Sequence, residues 1–268
     1  MKQSSSTVRS NLELMPGVQL MWIEAPDIAA VVQPGQFVTV RCGDFTLRRP
    51  FSVHQVSSHE IALLLKVTGK GSLWLSQRQT GDKIDVLGPL GKGFTLGPKS
   101  KNLLLVAGGV GTAPLVFLMQ RASSRYQITL LHGTSTAAQV YAFSSAGKKR
   151  STLAALPKGV RFIPVTEDGS MGRRGRATDV LPEFLDWADQ VYACGPVDMY
   201  KAMAAMSFQA KQDNLKLKEC QVSLEVRMGC GFGACYGCTI NTRKGPRQVC
   251  RDGPVFELDD IIWQEVKI

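Results

Sequence analysis

The middle of the chain lacks acidic residues: no Asp or Glu occurs from Val86 to Thr166, although the protein has 268 residues and 22 acidic side chains. Ten Lys and Arg residues lie in that stretch, so the net charge of +10 arises there and the rest of the chain is balanced. Aromatic residues make up only 7% of the sequence, and no nucleic-acid-binding motif accompanies the basic section, which argues against a nucleic-acid partner. A phosphate-bearing ligand, an acidic partner or a solvated basic face fits better. The ten cations are Lys92, Lys99, Lys101, Arg121, Arg125, Lys148, Lys149, Arg150, Lys158 and Arg161.

No segment has the composition of a signal peptide or of a membrane span. The first residues include two basic side chains but no continuous apolar run. The uncharged runs 102–120 and 126–147 are long enough to cross a bilayer, but glycine, proline or polar residues interrupt each of them. We therefore expect a soluble, cytoplasmic protein that does not associate with membranes.

The distribution of the seven cysteines argues against a secreted disulfide scaffold, since their number is odd and four of them cluster near the C-terminus. The cluster reads Cys230-x4-Cys235-x2-Cys238-x11-Cys250. This spacing is typical of plant-type [2Fe–2S] proteins, and the glycines around it let the backbone approach inorganic sulfur closely. Structural zinc is the alternative, but a second short Cys pair is missing. The tail predicts a [2Fe–2S] centre in a reducing compartment.

Turn signals divide the chain into three parts. Residues 1–99 alternate short apolar runs with turns, which predicts a small antiparallel β barrel. Residues 100–215 contain buried strands separated by helical segments, which predicts an α/β domain with a parallel sheet. Residues 216–268 are too few for a core of their own and fit a small unit held by its metal. The predicted strands are 18–22, 35–40, 60–66, 82–87, 103–107, 127–131, 160–165 and 190–194, and a helix is predicted over 114–120.

Two features of the predicted barrel have the chemistry of a flavin site. The sequence Arg49-Pro50-Phe51-Ser52 offers a guanidinium for pyrophosphate, an aromatic ring and a hydroxyl that can bond a ring nitrogen. Lys66 precedes a glycine turn, Gly69-Lys70-Gly71-Ser72, that could cradle phosphate. An ordinary strand end with a surface arginine explains the first feature equally well.

Two turns in the α/β part favour a nucleotide. The sequence from Gly108 to Pro114 follows a buried strand, where backbone N–H groups and a helix dipole attract phosphate. It is not the complete dinucleotide fingerprint, since Pro114 replaces the third glycine and no acidic residue follows about 20 positions later. Cys194-Gly195-Pro196 forms a second turn at the same predicted sheet edge, although a buried cysteine there is by default part of the core.

Taken in order, the sequences RPFS, GKGS, GPLGKGF, GGVGTAP, TEDGSMGRRG, ACGP and the four-cysteine tail resemble the electron-transfer subunits of two-subunit dihydroorotate dehydrogenases. That family belongs to the ferredoxin–NADP reductase superfamily. The resemblance covers essentially the whole chain, and its most specific part runs from Ser223-Leu224-Glu225 to Asp252-Gly253-Pro254-Val255-Phe256. It implies FAD in the barrel, NAD(H) on the α/β domain and a C-terminal [2Fe–2S] unit.

The family resemblance also implies site residues. For FAD it indicates Arg49, Pro50, Phe51, Ser52, Leu64, Leu65, Lys66, Gly71 and Ser72. For NAD(H) it indicates Gly108, Gly109, Gly111, Thr112, Cys194, Gly195 and Pro196. For the cluster it indicates Cys230, Cys235, Cys238 and Cys250. Phe51 departs from the tyrosine of many superfamily members, and the basic middle section leaves the choice between NADH and NADPH open.

The implied activity is electron transfer from a partner through [2Fe–2S] and FAD to NAD⁺ in pyrimidine synthesis, with no catalytic side chain in this subunit. The implied partner is an FMN-containing dihydroorotate dehydrogenase, in a heterotetramer. One alternative is a related NAD(P)H-dependent reductase that serves a ferredoxin, a hydrogenase or a sulfide-reducing complex. The other is a non-catalytic iron–sulfur binding protein that has lost its flavin.

Overall fold

The computed structural model of the protein describes residues 1–144, 153–212 and 219–266, with side chains omitted from 210 to 212. Lys148, Lys149 and Arg150 of the basic section lie outside the described residues, and so does the predicted boundary between 215 and 216. Within the described ranges, no helix is long and apolar enough to cross a membrane.

The first third of the chain closes into a barrel, as predicted, in the strand order β1-β2-β5-β4-β3-β6, with antiparallel neighbours throughout. Alternating side chains fill its interior, which is the reason these short strands read as apolar runs between turns. Its elements are β1 (Lys2–Met15), β2 (Val18–Glu24), α1 (Pro26–Ala29), β3 (Phe37–Arg41), β4 (Arg49–Val56), β5 (Glu60–Lys66), α2 (Lys70–Ser76) and β6 (Lys83–Leu90).

The rest of the chain builds a seven-stranded sheet in the order β10-β9-β8-β7-β11-β12-β15, with a separate two-stranded hairpin, β13-β14. The pairs are parallel except for β12 with β15. The strands are β7 (Asn102–Gly108), β8 (Gln127–Thr134), β9 (Arg161–Thr166), β10 (Arg173–Arg174), β11 (Gln190–Cys194), β12 (Glu219–Ser223), β13 (Thr239–Thr242), β14 (Gly245–Gln248) and β15 (Val255–Glu257). The helices are α3 (Thr112–Ala122), α4 (Ala177–Val180), α5 (Pro182–Leu185), α6 (Val197–Gln212) and α7 (Val249–Asp252).

Helix α3 lies between the sheet and the barrel. Phe117 packs into the barrel core, whereas Leu115 and Leu118 belong to the core beneath the sheet. A helix buried on nearly all sides has no polar face, which accounts for the long uncharged stretch in the sequence. Pro114 is tolerated because it falls in the first turn, where no backbone N–H is needed within the helix.

The C-terminal part shares its core with the sheet and the barrel. Strand β12 extends the parallel sheet beside β11, and Cys238 and Cys250 belong to the same apolar cluster as Leu104 and Phe37. This C-terminal part is therefore stabilised by burial against its neighbours as well as by any metal it holds.

Candidate functional site

A cleft of about 430 Å³ opens between the end of the barrel and the carboxyl edge of the parallel sheet. Met15 and Lys66, at the ends of β1 and β5, line its barrel side. The turns that follow β7, β8 and β11 line its sheet side. Ligands of parallel α/β sheets bind at this edge, because the connecting turns there present backbone groups outward.

The two glycine turns predicted from the sequence pack directly against each other. A Cβ on Gly108 would lie 2.6 Å from Pro196 Cδ, and a Cβ on Gly111 would lie 2.0 Å from the carbonyl oxygen of Cys194. Both distances are far below van der Waals contact, so only glycine permits this approach. The structure thus brings the turn after β7 and the turn after β11 together at the cleft.

The other predicted nucleotide residues differ in what they expose. Gly109, with φ of +54°, lines the cleft, and Gly195 lines it from the opposite turn. Thr112 and Cys194 are fully buried, and Thr112 donates to the Gly109 carbonyl at 3.4 Å. Cys194 is therefore a core residue, and its burial raises the pKa of its thiol.

Glu167 and Glu225 also line the cleft, although sequence reasoning did not select either as a site residue. Glu167 follows β9, and its backbone N–H donates to the Thr134 carbonyl at 3.0 Å. A second hollow of about 270 Å³ shares Gly108 and Glu167 with the cleft and adds Arg176 and Asp198. Because the two hollows share lining residues they adjoin each other, and together they are called the groove.

Glu225 gives the cleft a carboxyl with unusual electrostatics. The surrounding protein removes water from this carboxyl and raises its pKa, although the residue is still exposed in the cleft. Lys66, which lines the same cleft, opposes that shift. The sequence signal that could have found this residue is its place in the family-specific tail.

The predicted FAD residues of the barrel meet at a second place. Arg49 lies over the start of α2, since a Cβ on Gly71 would be 2.9 Å from Arg49 Nε. Ser72 Oγ accepts from the N–H groups of Thr68 and Gly69 at 2.9 and 3.1 Å, which fixes the turn before that helix. The structure therefore joins the two sequence features, RPFS and GKGS, into one basic corner.

The remaining predicted FAD residues of the barrel lie along β4 and β5. Pro50, Phe51 and Ser52 are half-buried along β4, and Phe51 packs on the barrel core. The side chains of Leu64 and Leu65 are buried in the apolar cores, so their contact with a ligand is limited to the backbone.

The basic middle section contributes no cation to the cleft or to the adjoining hollow among its described members. The cations that line these spaces are Lys66 and Arg176, which lie outside that section of the sequence. The seven described cations of the section therefore form no part of the groove.

The first pair of tail cysteines lies on a glycine-rich loop. Cys230 N–H donates to Cys235 Sγ at 3.4 Å, and Ala234 N–H donates to Cys230 Sγ at 3.3 Å. Burial raises the pKa of the Cys230 thiol, but the backbone donors, including Phe232, outweigh it and bring this pKa to about 6. A Cβ on Gly229 would stand 3.1 Å from Cys235 Sγ. The loop is thus arranged to hold thiolate sulfur.

The second pair is assembled by a hairpin. Cys238 immediately precedes β13, and Cys250 lies just after the end of β14, so the x11 spacing is one hairpin long. Their sulfurs are 3.2 Å apart, and Cys250 N–H donates to Cys238 Sγ at 3.4 Å. The pKa of Cys250 is raised to about 12, mainly by burial and also by the neighbouring Cys238. A bound metal would take both sulfurs as thiolates, so its binding would release protons from this pair.

The four cysteines have the number and the pairing of a [2Fe–2S] ligand set, in which each iron takes two thiolates. They come as two pairs, and the charge of Cys230 acts on Cys250, but among the described residues no group of three or more potential metal ligands converges. An unpaired polar atom lies beside the loop: Thr39 Oγ1 is buried without a hydrogen-bond partner among the described residues. Thr39 Cγ2 is 2.8 Å from where a Cβ on Gly231 would stand, which places the cysteine loop on β3 of the barrel.

Solved structures with the same fold identify the class. The chain matches a structure titled as an NADH-dependent reduced ferredoxin-NADP oxidoreductase, with a TM-score of 0.80, 26% identity and coverage of 97% of this chain and 91% of that one. It also matches a ferredoxin NADP⁺ reductase from Neisseria gonorrhoeae, with a TM-score of 0.61, 20% identity and coverage of 80% and 92%. The barrel, the parallel sheet and the cleft between them are those of a ferredoxin–NADP reductase-like flavoprotein oxidoreductase.

Family models divide the same chain. Residues 105–205 match an oxidoreductase NAD-binding domain, and residues 225–262 match the iron-sulfur cluster binding domain of dihydroorotate dehydrogenase B. The second match contains all four tail cysteines.

Two curated relatives carry the name dihydroorotate dehydrogenase B (NAD(+)), electron transfer subunit. That of Desulforamulus reducens is 38% identical, over 93% of this chain and 94% of its own. That of Bacillus velezensis is 33% identical, over 97% and 99%. The chain belongs to this family of electron transfer subunits, which confirms the family and the fold class expected from the sequence.

Proposed function

We propose that this chain passes electrons from a partner dihydroorotate dehydrogenase through a [2Fe–2S] cluster and FAD to NAD⁺ in pyrimidine synthesis. The observation that supports this most directly is the shared core. Phe37 of the barrel, Leu104 of the sheet and Cys238 and Cys250 of the tail pack in one apolar cluster. Three cofactor sites carried by one close-packed core would keep their separations, as electron transfer between them requires.

Three functional units follow from the proposal. Residues 1–99 hold FAD, residues 100–215 bind NAD(H), and residues 216–268 hold the cluster. Strand β12, at the start of the third unit, also extends the sheet of the second.

For FAD, Arg49 and the turn with Gly71 and Ser72 would hold the phosphates, because the guanidinium already lies over that turn. Phe51 and Ser52, with Pro50, would border the ring from β4, and Lys66 with the backbone of Leu64 and Leu65 would border it from β5. FAD, when bound, exchanges electron pairs with nicotinamide and single electrons with an iron–sulfur cluster. The protein supplies binding, orientation and exclusion of water, so no general acid or base is assigned.

For NAD(H), the groove at the sheet edge would hold the dinucleotide. Gly108, Gly109, Gly111 and Thr112 form one side of its binding turn, and Cys194, Gly195 and Pro196 form the other. Backbone contacts dominate there because the glycines let two turns approach within contact distance. Lys66 and Glu225 bring charge to the barrel end, where the nicotinamide would meet the flavin.

For the partner, the outer edge of the cysteine loop would be the docking surface. Cys235 is exposed, whereas Cys238 and Cys250 are buried. Phe232 and Tyr236 beside it are 47% and 67% exposed, unusual for aromatic side chains without a partner. An FMN-containing catalytic subunit docked there, in a heterotetramer, would bring its flavin close to Cys230 and Cys235. None of the seven cysteines, all of which lie in the described ranges, forms a disulfide, which favours the cytoplasm.

Two variants, each with a matched control, test the cofactor assignments. Cys235→Ser should remove the iron–sulfur absorption but keep flavin, whereas Cys220→Ser on β12 should keep both. Arg49→Ala should lower flavin content, whereas Arg41→Ala, at the exposed end of β3, should not. Retention of both irons in Cys235→Ser, or of full flavin in Arg49→Ala, would refute the corresponding site.

A reconstitution tests the partner. Mixed with an FMN-containing dihydroorotate dehydrogenase, the chain should reduce NAD⁺ at the expense of dihydroorotate, and Phe232→Ser with Tyr236→Ser should weaken the complex. Co-purification with a ferredoxin, hydrogenase or sulfide-reducing partner instead would favour the related reductase. A protein with iron but no flavin would favour the non-catalytic alternative.

A further inference from the structure

Three buried polar side chains connect the barrel to the nucleotide turn, and none of them is among the residues proposed to hold a cofactor. His54 of β4 and His132 of β8 are both 0% exposed, and Tyr141 is 1% exposed. Tyr141 joins them: its hydroxyl lies 2.9 Å from His54 Nε2, and its backbone nitrogen lies 3.3 Å from His132 Nδ1.

The partners of each ring fix its tautomer. His132 Nδ1 accepts from the Tyr141 N–H, so the proton is on Nε2, which donates to the Gly109 carbonyl at 3.0 Å. His54 is reversed, since Nδ1 lies 3.1 Å from the Ala113 carbonyl and must donate, which leaves Nε2 to accept from the Tyr141 hydroxyl. Both rings are therefore neutral, and burial lowers the pKa of each to about 4.

The Gly109 carbonyl is the point at which this chain of hydrogen bonds reaches the cleft. Gly109 has the left-handed φ of +54°, and it lines the cleft with Val110. A Cβ on Gly109 would meet nothing within 4 Å, so side-chain packing does not hold this residue in place. Its carbonyl instead receives hydrogen bonds from His132 Nε2, from the Thr112 backbone N–H and, at 3.4 Å, from the Thr112 hydroxyl.

We propose that His132 is a positioning residue for NAD(H): as the Nε2–H tautomer it orients the Gly109–Val110 peptide that faces the nucleotide. Tyr141 maintains that tautomer through its backbone N–H, which donates to His132 Nδ1 and does not depend on His54. The proposal depends on the proposed function, since it assumes that the nucleotide binds at the turn after β7. It adds a fully buried residue, remote in sequence from the glycine turn, to the residues that determine nucleotide affinity.

Two variants of His132 separate the hydrogen bond from packing. His132→Leu fills the space but removes the donor, and NADH affinity should fall about tenfold, the equivalent of one hydrogen bond of about 1.4 kcal/mol. KM for NADH, measured with ferricyanide as the acceptor, should rise by about the same factor, and kcat should change much less. His132→Gln retains an N–H donor at that place and should recover most of the affinity.

The matched control is His54→Leu, which removes the other buried imidazole but not the bond to Gly109. It should lower the melting temperature as His132→Leu does, with flavin and iron content retained, yet leave NADH affinity within about twofold. Equal loss of affinity in His132→Leu and His132→Gln, or wild-type affinity in His132→Leu, would overturn the proposal.

A direct measurement of the tautomers does not depend on nucleotide binding. In the ¹⁵N histidine spectrum of the oxidised holoprotein, His132 should carry its proton on Nε2 and His54 on Nδ1. A proton on Nδ1 of His132 would overturn the positioning role even if NADH binds. A wild-type protein that shows the expected tautomers but binds no nucleotide would instead refute the proposed function.

Discussion

Gly111 provides a sharp test of how the nucleotide turn is built. Its φ of −59° and ψ of −8° suit any residue, so backbone strain gives no reason for glycine there. Space does: a Cβ would lie 2.0 Å from the Cys194 oxygen, 2.4 Å from the Cys194 carbonyl carbon and 2.9 Å from Gly195 N. All three neighbours are backbone atoms, so no side chain can rotate away. In Gly111→Ala the turn after β7 and the end of β11 must separate by more than about 1 Å to restore normal carbon–oxygen contact.

The expected cost follows from that displacement. Overpacking in a well-packed region costs about 1–3 kcal/mol, and a clash with backbone on one side belongs at the upper end. For a protein of this size that corresponds to a fall of about 6–12 °C in melting temperature. NADH affinity should fall as well, because the separated turns are those that would clasp the nucleotide.

Gly109→Ala is the matched control, because glycine is needed at that position for backbone conformation and not for space. Gly109 has open space around its Cβ position but a φ of +54°. Alanine there costs only the left-handed conformation, about 1–2 kcal/mol. Thermal unfolding of the three proteins at equal flavin and iron content measures the order. A Gly111→Ala protein that melts within about 2 °C of wild type, or above Gly109→Ala, would refute the reasoning.

Two further predictions concern charge. Glu167→Gln should raise the NADPH-to-NADH activity ratio about tenfold, because a carboxylate in the groove accepts from ribose hydroxyls and repels an additional phosphate. Glu183 is exposed outside the groove, so Glu183→Gln should leave this ratio unchanged. His54 and His132, with pKa values of about 4 in the folded state against about 6.5 unfolded, contribute stability that is complete above pH 6.5 and is lost as pH falls towards 4. At pH 5 each should cost about 2 kcal/mol relative to pH 7.5 in denaturant unfolding. The exposed His59, changed to Gln, should leave that pH dependence intact, and a wild-type stability that is flat from pH 7.5 to 5 would contradict the neutral buried rings.

The sequence predicted the strands and helices that a local run of residues is enough to define. Strand β11 has the predicted bounds, and α3 contains the predicted helix, because continuous apolar runs of strand or helix length are typical of elements buried on both sides. The cysteine spacing predicted a paired thiolate site, and the hairpin β13-β14 explains the long interval before Cys250.

What the sequence did not reveal depends on pairing between distant strands. Glu167 escaped notice because an acidic residue was expected soon after the glycine turn along the chain. The parallel register of β7, β8 and β9 instead brings the end of β9 to the same edge in space. Strand β12 likewise pairs with β11 and β15, and its own residues do not specify those neighbours.

The buried histidines were missed for a different reason. His54 and His132 occur singly, at no motif spacing, and only the fold brings them to Tyr141. A buried polar residue is recognised by its partners, and those partners are fixed by tertiary structure.

The most direct test of the account is the visible spectrum of the anaerobically purified protein, recorded before and after addition of NADH. We expect flavin bands over a broad iron–sulfur absorption, with iron and flavin near two to one, and bleaching of both by NADH. A colourless protein that contains zinc, or a flavin spectrum that NADH leaves unchanged, would contradict the proposed path of electrons between nicotinamide, flavin and cluster.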